Sequence, residues 1–145
     1  MSINVAPPSL NGCRILVVED EPLVSMLIED VLTTRGGGVV GPAPTAKEAL
    51  ELLEREAVHC AVLDVKLMDG LSLPVAEALK ARAIPFVIVT GVDQKTIPFA
   101  YHGAPVLPKV FMPHELIDAV AAIAQRLHAI ATAEGEAVHE AWNTT

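Results

Sequence analysis

The segment Arg14-Ile-Leu-Val-Val-Glu-Asp20 is the most informative part of the sequence about the fold, because it joins a short apolar run to two consecutive carboxylates. The apolar run is too brief for a helix and is typical of a strand buried on both faces. Two similar runs follow, at residues 60–64 and 86–90, and they end in Asp64 and Thr90. Strands of this kind belong to a parallel sheet that helices cover on both sides.

Helical patterns separate these strands. Apolar residues recur at intervals of three and four over residues 22–35, which predicts the first helix. Thr45 and Glu48 form a capping box that begins a second helix, and Ser72 is expected to cap a third. A last helix is predicted to begin near Pro113. The chain therefore alternates strands with helices.

Two further strands are predicted from weaker patterns, at Val39-Val40 and Pro105-Val-Leu107. Residues 92–103 contain Pro98 and lack helical periodicity, which predicts a short or distorted fourth helix. Five strands that alternate with about five helices imply βαβ crossovers and an α/β fold.

Length and composition indicate one acidic domain. The chain has 145 residues, of which 52% are apolar, and a net charge of −8. We expect the domain to span residues 12–133, between a flexible leader (1–11) and a polar tail (134–145). The net charge disfavours binding to nucleic acid or to anionic membranes. Cys13 and Cys60 lack the spacing of a redox or zinc motif, and no signal peptide or membrane span is predicted, so we expect a cytoplasmic protein.

The carboxyl ends of the predicted strands carry residues suited to a metal and a phosphoryl group. Right-handed crossovers place the first and third strands side by side, which brings Glu19, Asp20 and Asp64 to one edge. Each close pair of carboxylates repels by about 4 kcal/mol at an effective dielectric constant near 20, so a cation should lie among them. Oxygen ligands without His or Cys favour Mg²⁺. The hydroxyl of Thr90 and the amine of Lys109 would compensate a phosphoryl group on Asp64, which would act as the nucleophile.

Four motifs at strand ends make the chain resemble the CheY-like receiver domains of response regulators. The motifs are Val18-Glu19-Asp20-Glu21, Leu63-Asp64, Val89-Thr90-Gly91 and Leu107-Pro108-Lys109. The resemblance covers about residues 12–133 and implies a flavodoxin-like (βα)5 three-layer sandwich with sheet order 2-1-3-4-5.

The resemblance also implies a role for each residue of the site. Asp64 would accept a phosphoryl group from a histidine kinase or a histidine phosphotransfer protein. Mg²⁺ would be held by the carboxylates of Glu19, Asp20 and Asp64 and by the backbone carbonyl of Lys66. The phosphoryl oxygens would contact Thr90, Lys109 and the backbone of Gly91.

The sequence departs from the family pattern at two positions. Val110 follows Lys109 where receivers usually have proline, which leaves open whether Lys109 is aimed in the usual way. Val106 occupies the position of the switch aromatic, three residues before Lys109, so the expected switch pair is Thr90 and Val106. The short loop after Asp64, together with Ile84-Pro-Phe-Val-Ile-Val-Thr-Gly91 and Gly103-Ala-Pro-Val106, resembles a stand-alone alphaproteobacterial subgroup nicknamed FAT GUY, which lacks the switch aromatic.

Three functions are compatible with these patterns. The preferred one is a single-domain response regulator that passes its signal, or drains phosphate, to an unidentified protein partner. A receiver that binds partners without phosphorylation is the first alternative. An aspartyl phosphatase for small molecules is the second, and Lys66 counts against it because such enzymes usually place an aspartate two residues after the nucleophile.

Single residues have plainer interpretations as well. Glu19 and Asp20 taken alone would suit the first turn of a helix, and Lys109 alone would suit a solvated surface. Their joint placement at strand ends favours the phosphoacceptor site. Tyr101 and Phe99 fit either a partner-binding surface or core packing, and the sequence leaves both open.

Overall fold

A parallel sheet forms the centre of the computed structural model, which describes residues 9–91, 97, 101 and 103–124. The sheet strands are β1 (Arg14–Val18), β2 (Gly38–Ala43), β3 (Cys60–Asp64), β6 (Phe86–Thr90) and β7 (Val106–Pro108). Their spatial order is β2-β1-β3-β6-β7, and every neighbouring pair is parallel. This confirms the predicted order 2-1-3-4-5, in which β6 and β7 are the fourth and fifth strands of the sheet. Two short antiparallel strands, β4 (Lys66–Leu67) and β5 (Gly70–Leu71), lie in the loop after β3.

The described residues include four helices. They are α1 (Pro22–Thr34), α2 (Ala46–Arg55), α3 (Leu73–Ala81) and α4, which begins at residue 113 and continues through residue 124. Pro22 begins α1, where its missing N–H group costs nothing. Gly36, two residues after the end of α1, has a φ of 88°, and Gly37 donates its N–H to the carbonyl of Leu32, so a glycine turn ends the helix. The predicted fourth helix, leader and tail lie largely outside the described residues.

The two faces of the sheet bury separate apolar clusters. Alternate residues of one strand point to opposite faces, so Leu16 and Leu63 pack on one side, whereas Val17 and Val62 pack on the other. The first cluster lies under α2 and α3, and the second lies under α1 and α4. The result is the three-layer α/β sandwich that the sequence predicted. Within the described residues, no helix is long and apolar enough to cross a membrane.

Two local features differ from the sequence-based expectation. The second strand covers six residues, Gly38–Ala43, and includes Pro42, whereas the apolar pattern predicted only Val39-Val40. Proline is tolerated there because β2 is an edge strand and needs hydrogen-bond partners on one side only. Leu10, in the predicted leader, is buried, and its N–H donates to the carbonyl of Arg35 at 2.8 Å. Packing against the second cluster therefore begins before β1.

The two cysteines lie side by side at the amino-terminal end of the sheet. Their Sγ atoms are 3.4 Å apart as free thiols, Cys60 fully buried and Cys13 partly so. Cys60 therefore belongs to the second apolar cluster, and Cys13 packs against that cluster.

Candidate functional site

The site is built where three parallel strands end at the same edge of the sheet. Because β1 pairs with β3 in register Val18 with Leu63, the residues after β1 lie beside the end of β3. The next strand, β6, pairs Val89 with Asp64, and it ends at Thr90. Strand register therefore assembles the acidic residues and the hydroxyl that the sequence placed at strand ends.

Four carboxylates form the acidic cluster of the site. Glu19, Asp20, Glu21 and Asp64 each offer an oxygen, and these oxygens lie within 4.8 Å of one another. Glu19 and Asp64 are buried, whereas Glu21 is exposed. Sequence reasoning proposed the other three and missed Glu21, although it stands directly after Asp20 in the quoted motif.

Lys109 lies among these carboxylates. Its Nζ atom is 2.9 Å from Asp64 Oδ2, 3.0 Å from Glu19 Oε1 and 2.8 Å from Glu21 Oε1. Burial by itself lowers the pKa of this amine, but its hydrogen bonds to the carboxylates outweigh burial and hold the pKa above its usual value. The amine is therefore a fixed positive charge beside Asp64.

The backbone after β7 aims this amine at the acidic cluster. The N–H group of Lys109 donates to the carbonyl of Thr90 at 2.8 Å, and the Lys109–Val110 peptide bond is cis. The open question about Lys109 is thus resolved, because its side chain reaches Asp64 with valine in the following position.

The chemistry of Glu19 fits a bound cation. Its side chain is only 2% exposed, and burial raises its pKa to about 7, against the opposing effect of the N–H of Glu21, which donates to Oε2 at 3.0 Å. Oε1 is also buried and accepts no hydrogen bond among the described residues, although Lys109 Nζ is nearby. A buried carboxylate oxygen without a hydrogen bond is costly, and a hard cation would satisfy it.

The remaining predicted site residues surround this cluster. Thr90 is 1% exposed at the end of β6, and the exposed Gly91 follows it. Lys66 lies two residues after Asp64, in β4, with an exposed side chain. Val106 pairs with Ile88 in the sheet and packs partly buried against the first apolar cluster. No aromatic ring therefore occupies position 106 beneath Thr90.

Ser72 has a different role from the predicted one. Its side chain makes no capping hydrogen bond to α3, and it is completely buried. The hydroxyl instead donates to the backbone carbonyl of Asp64 and lies 2.8 Å from the hydroxyl oxygen of Tyr101. A buried hydroxyl group needs a hydrogen-bond acceptor, and the acceptor within reach of Ser72 is the carbonyl oxygen of Asp64, the proposed nucleophile.

Tyr101 belongs to the core. It is 1% exposed, so of the two interpretations of Tyr101 core packing is the one observed, and Phe99 lies outside the described residues. Burial raises the pKa of the Tyr101 phenol above its usual value, with the hydrogen bond to Ser72 acting in the opposite direction. The phenol is therefore protonated and available as a donor at neutral pH.

Chemically, the arrangement is a buried carboxylate held beside one fixed amine and three further carboxylates. Asp64 can act as an oxygen nucleophile toward an electrophile that carries negative charge, because Lys109 offsets repulsion from the acidic cluster. Thr90 ends β6, the strand that pairs with β3 on the side away from β1.

Comparison with known proteins agrees with this geometry. Residues 15–121 match the family described as "Response regulator receiver domain". A transcriptional regulatory protein, PdtaR of Mycobacterium tuberculosis, is 30% identical over 128 residues, which are 85% of this chain and 62% of that protein. The chain thus spans about three-fifths of the length of this curated relative.

Two solved structures share the architecture. The solution structure of SdrG from Sphingomonas melonis Fr1 is 42% identical, with a TM-score of 0.68, over 77% of this chain and 95% of that one. A CheY-like receiver domain protein from Methanospirillum hungatei JF-1 is 25% identical, with a TM-score of 0.74, over 81% of this chain and 97% of that one. The family match covers most of the chain, and the strand order and the acidic site agree with it. This chain belongs to the response regulator receiver domain family.

Proposed function

We propose that this receiver accepts a phosphoryl group on Asp64 from a phosphohistidine of a histidine kinase or a histidine phosphotransfer protein. The observation that carries the proposal is the 2.9 Å contact between Lys109 Nζ and Asp64 Oδ2 within a cluster of four carboxylates. A nucleophilic carboxylate next to a fixed cation is what transfer of an anionic phosphoryl group requires.

The acidic cluster is the proposed Mg²⁺ site. Glu19, Asp20 and Asp64 would hold the ion together with the backbone carbonyl of Lys66, and the buried Oε1 atom of Glu19, which accepts no hydrogen bond among the described residues, supports this assignment. Bound Mg²⁺ would offset the charge on the phosphoryl oxygens. Glu21 lies close enough to contribute through the ion's water shell.

The proposed transfer forms one bond and breaks one. An oxygen of Asp64 attacks the phosphorus atom, the bond between phosphorus and the histidine nitrogen breaks, and the leaving imidazole takes a proton from solvent. Lys109, the Thr90 hydroxyl and the Gly91 N–H would contact the phosphoryl oxygens. Later attack by water on phosphorus would return the carboxylate of Asp64 and release inorganic phosphate.

Exposed apolar side chains flank the site and support docking of a phosphodonor protein. Leu23 is 82% exposed at the start of α1, and Val110 is 96% exposed directly after Lys109. Glu21, two residues before Leu23, and Lys109, directly before Val110, are in contact at 2.8 Å. Large apolar side chains exposed around a polar centre are typical of protein interfaces.

The output of the receiver is proposed to be a contact with another protein. Phosphorylation would bias the loop at Thr90, with Val106 as the second member of the switch pair, and the net charge of −8 argues against a nucleic-acid partner. The 42% identity to SdrG and the absence of an aromatic residue at position 106 support membership of the FAT GUY subgroup. Residues 12–133 would be the functional domain, and two free thiols suit the cytoplasm.

Intact-mass spectrometry after incubation with acetyl phosphate and Mg²⁺ tests the proposal. We expect the wild-type chain to gain the mass of one phosphoryl group and Asp64→Asn to gain none. Asp118→Asn, which changes an exposed aspartate on α4, serves as the matched control and should label normally.

Three outcomes contradict the proposal. If no adduct forms with acetyl phosphate or with a phosphorylated kinase, the chain is a binding module that works without phosphorylation. Labelling of Asp64→Asn would place the phosphoryl group elsewhere. Steady turnover of small phosphoesters would favour the phosphatase alternative.

A further inference from the structure

A chain of two buried hydroxyl groups connects the backbone of Asp64 to Tyr101. The Ser72 hydroxyl contacts the Asp64 carbonyl oxygen on one side and the Tyr101 hydroxyl, at 2.8 Å, on the other. Ser72 is 0% exposed and Tyr101 is 1% exposed, so water does not compete for these hydrogen bonds. The connection reaches from the end of β3 to a residue between β6 and β7.

The direction of the two hydrogen bonds follows from proton counting. A hydroxyl has one proton, and the proton of Ser72 is given to the Asp64 carbonyl, which can only accept. Tyr101 must therefore donate its own proton to Ser72 Oγ. The sequence of donors is Tyr101, then Ser72, then the carbonyl of Asp64.

Ser72 is held firmly in this chain by its backbone. Its N–H donates to the carbonyl of Val65 at 2.8 Å, and its own carbonyl accepts from Val75 and Ala76 at the start of α3. Hydrogen bonds therefore tie Ser72 both to the loop after Asp64 and to the first turn of α3.

We propose that this Tyr101–Ser72–Asp64 chain couples the phosphorylation state of Asp64 to the position of Tyr101, and that Tyr101 is a positioning residue for the acceptor. The inference rests on the proposed phosphorylation of Asp64. It supplies an aromatic link from the acceptor to the β6–β7 connection in a chain where position 106 is valine. The link acts through the acceptor's own carbonyl and needs no rotation of a ring beneath Thr90.

The first test uses the fact that the chain has a single tyrosine. Tyrosine labelled with ¹³C at the ring carbon that carries the hydroxyl gives one NMR signal, and that signal reports the hydrogen bond of Tyr101. Beryllofluoride with Mg²⁺ serves as the phosphoryl analogue. We expect the signal to shift when the analogue binds to the wild-type chain, and the shift to be lost in Ser72→Ala although the analogue still binds.

A matched control separates this effect from general loosening of the core. Ser25→Ala removes another buried serine whose hydroxyl donates to a backbone carbonyl, that of Pro22, and it should keep the wild-type tyrosine shift. Fluorine NMR of bound beryllofluoride verifies occupancy separately in each variant. Binding without a tyrosine shift in the wild type overturns the inference and leaves the proposed function standing. If neither the analogue nor a phosphoryl group binds the wild type, both fail.

The second test measures how fast the acceptor is labelled by acetyl phosphate. Tyr101→Phe and Ser72→Ala should each slow labelling by about threefold or more, and the double variant should be no slower than Ser72→Ala alone. Such non-additivity is expected because either change breaks the same chain. Fully multiplicative effects would show that the two hydroxyls act independently of each other, and unchanged rates in both single variants would show that neither acts on Asp64. Either result overturns the inference.

Discussion

Lys109 has the largest electrostatic role of any single residue in this site. Its side chain is 15% exposed and contacts three carboxylates, so it compensates charges that would otherwise repel at close range. The same contacts make it a competitor for any cation that binds there. Charge balance at the site thus depends on both the amine and the metal.

Replacing this amine should make the fold depend more strongly on Mg²⁺. Without Mg²⁺ we expect Lys109→Met to lose roughly 1–3 kcal/mol of unfolding free energy, because the carboxylates are left uncompensated. Adding Mg²⁺ should raise its melting temperature more than that of the wild type. Lys66→Met, which removes an exposed lysine from β4, should change stability by less than about 0.5 kcal/mol. Differential scanning fluorimetry with and without Mg²⁺ measures both, and equal melting temperatures for Lys109→Met and the wild type without Mg²⁺ would contradict this account.

At the scale of elements, the start of α2 shows how a distant loop completes a local signal. Thr45 Oγ1 accepts from the N–H of Glu48 at 3.1 Å, as the capping pattern predicts. Asp69, in the loop after β3, accepts from the N–H groups of Ala46 and Lys47 at 3.0 and 3.3 Å. The first three amides of α2 are therefore satisfied from two places in the sequence.

Removing these acceptors should weaken α2 in a pH-dependent way. Thr45→Ala should lower the free energy of unfolding by about 1 kcal/mol, and Asp69→Asn by itself should also lower it at neutral pH. Hydrogen bonds from the N–H groups of α2, above all that of Ala46, hold the pKa of Asp69 below its usual value. The carboxylate of Asp69 therefore contributes its full stabilisation above its ordinary pKa, and this stabilisation is lost as the pH falls through the lowered pKa. Urea unfolding at several pH values should show that the difference in unfolding free energy between Asp69→Asn and the wild type becomes smaller as the pH is lowered. A gap that is constant with pH would mean that the charge of Asp69 does not contribute.

At the scale of the whole molecule, one sheet separates two apolar layers and joins them mechanically. Leu79 on α3 belongs to the first layer and Leu32 on α1 to the second, and both are fully buried. Because every strand contributes side chains to both layers, a defect in either layer weakens the shared sheet.

Truncating a buried side chain in either layer should therefore lower the midpoint of the same cooperative unfolding transition. We expect Leu79→Ala and Leu32→Ala each to cost about 2–5 kcal/mol, the usual penalty for a cavity left by a buried leucine. Leu23→Ala, at an 82% exposed position of α1, is the control and should be nearly neutral. Chemical denaturation followed by circular dichroism measures all three. If either leucine variant unfolded in two separate transitions, the result would contradict a single folding unit.

Local patterns in the sequence were enough to predict the five strands of the parallel sheet and where each of the four described helices begins. The family resemblance added the sheet order, and the strand ends predicted that Glu19, Asp20 and Asp64 would lie together. These features were predictable because strand and helix periodicity are local, and because parallel strands bring their carboxyl ends to one edge. The site's main residues follow from position along a strand alone.

The contacts between side chains from distant parts of the chain became visible in the folded structure alone. The Asp69 contact with α2 joins residues 23 positions apart, and the Ser72 contact with Tyr101 joins residues 29 positions apart, so neither is visible in a local pattern. Glu21 was missed because its place in the cluster depends on Lys109, 88 positions away. The physical reason is common to all three: a polar group pairs with the nearest partner that folding brings to it, and its neighbours in sequence do not specify that partner.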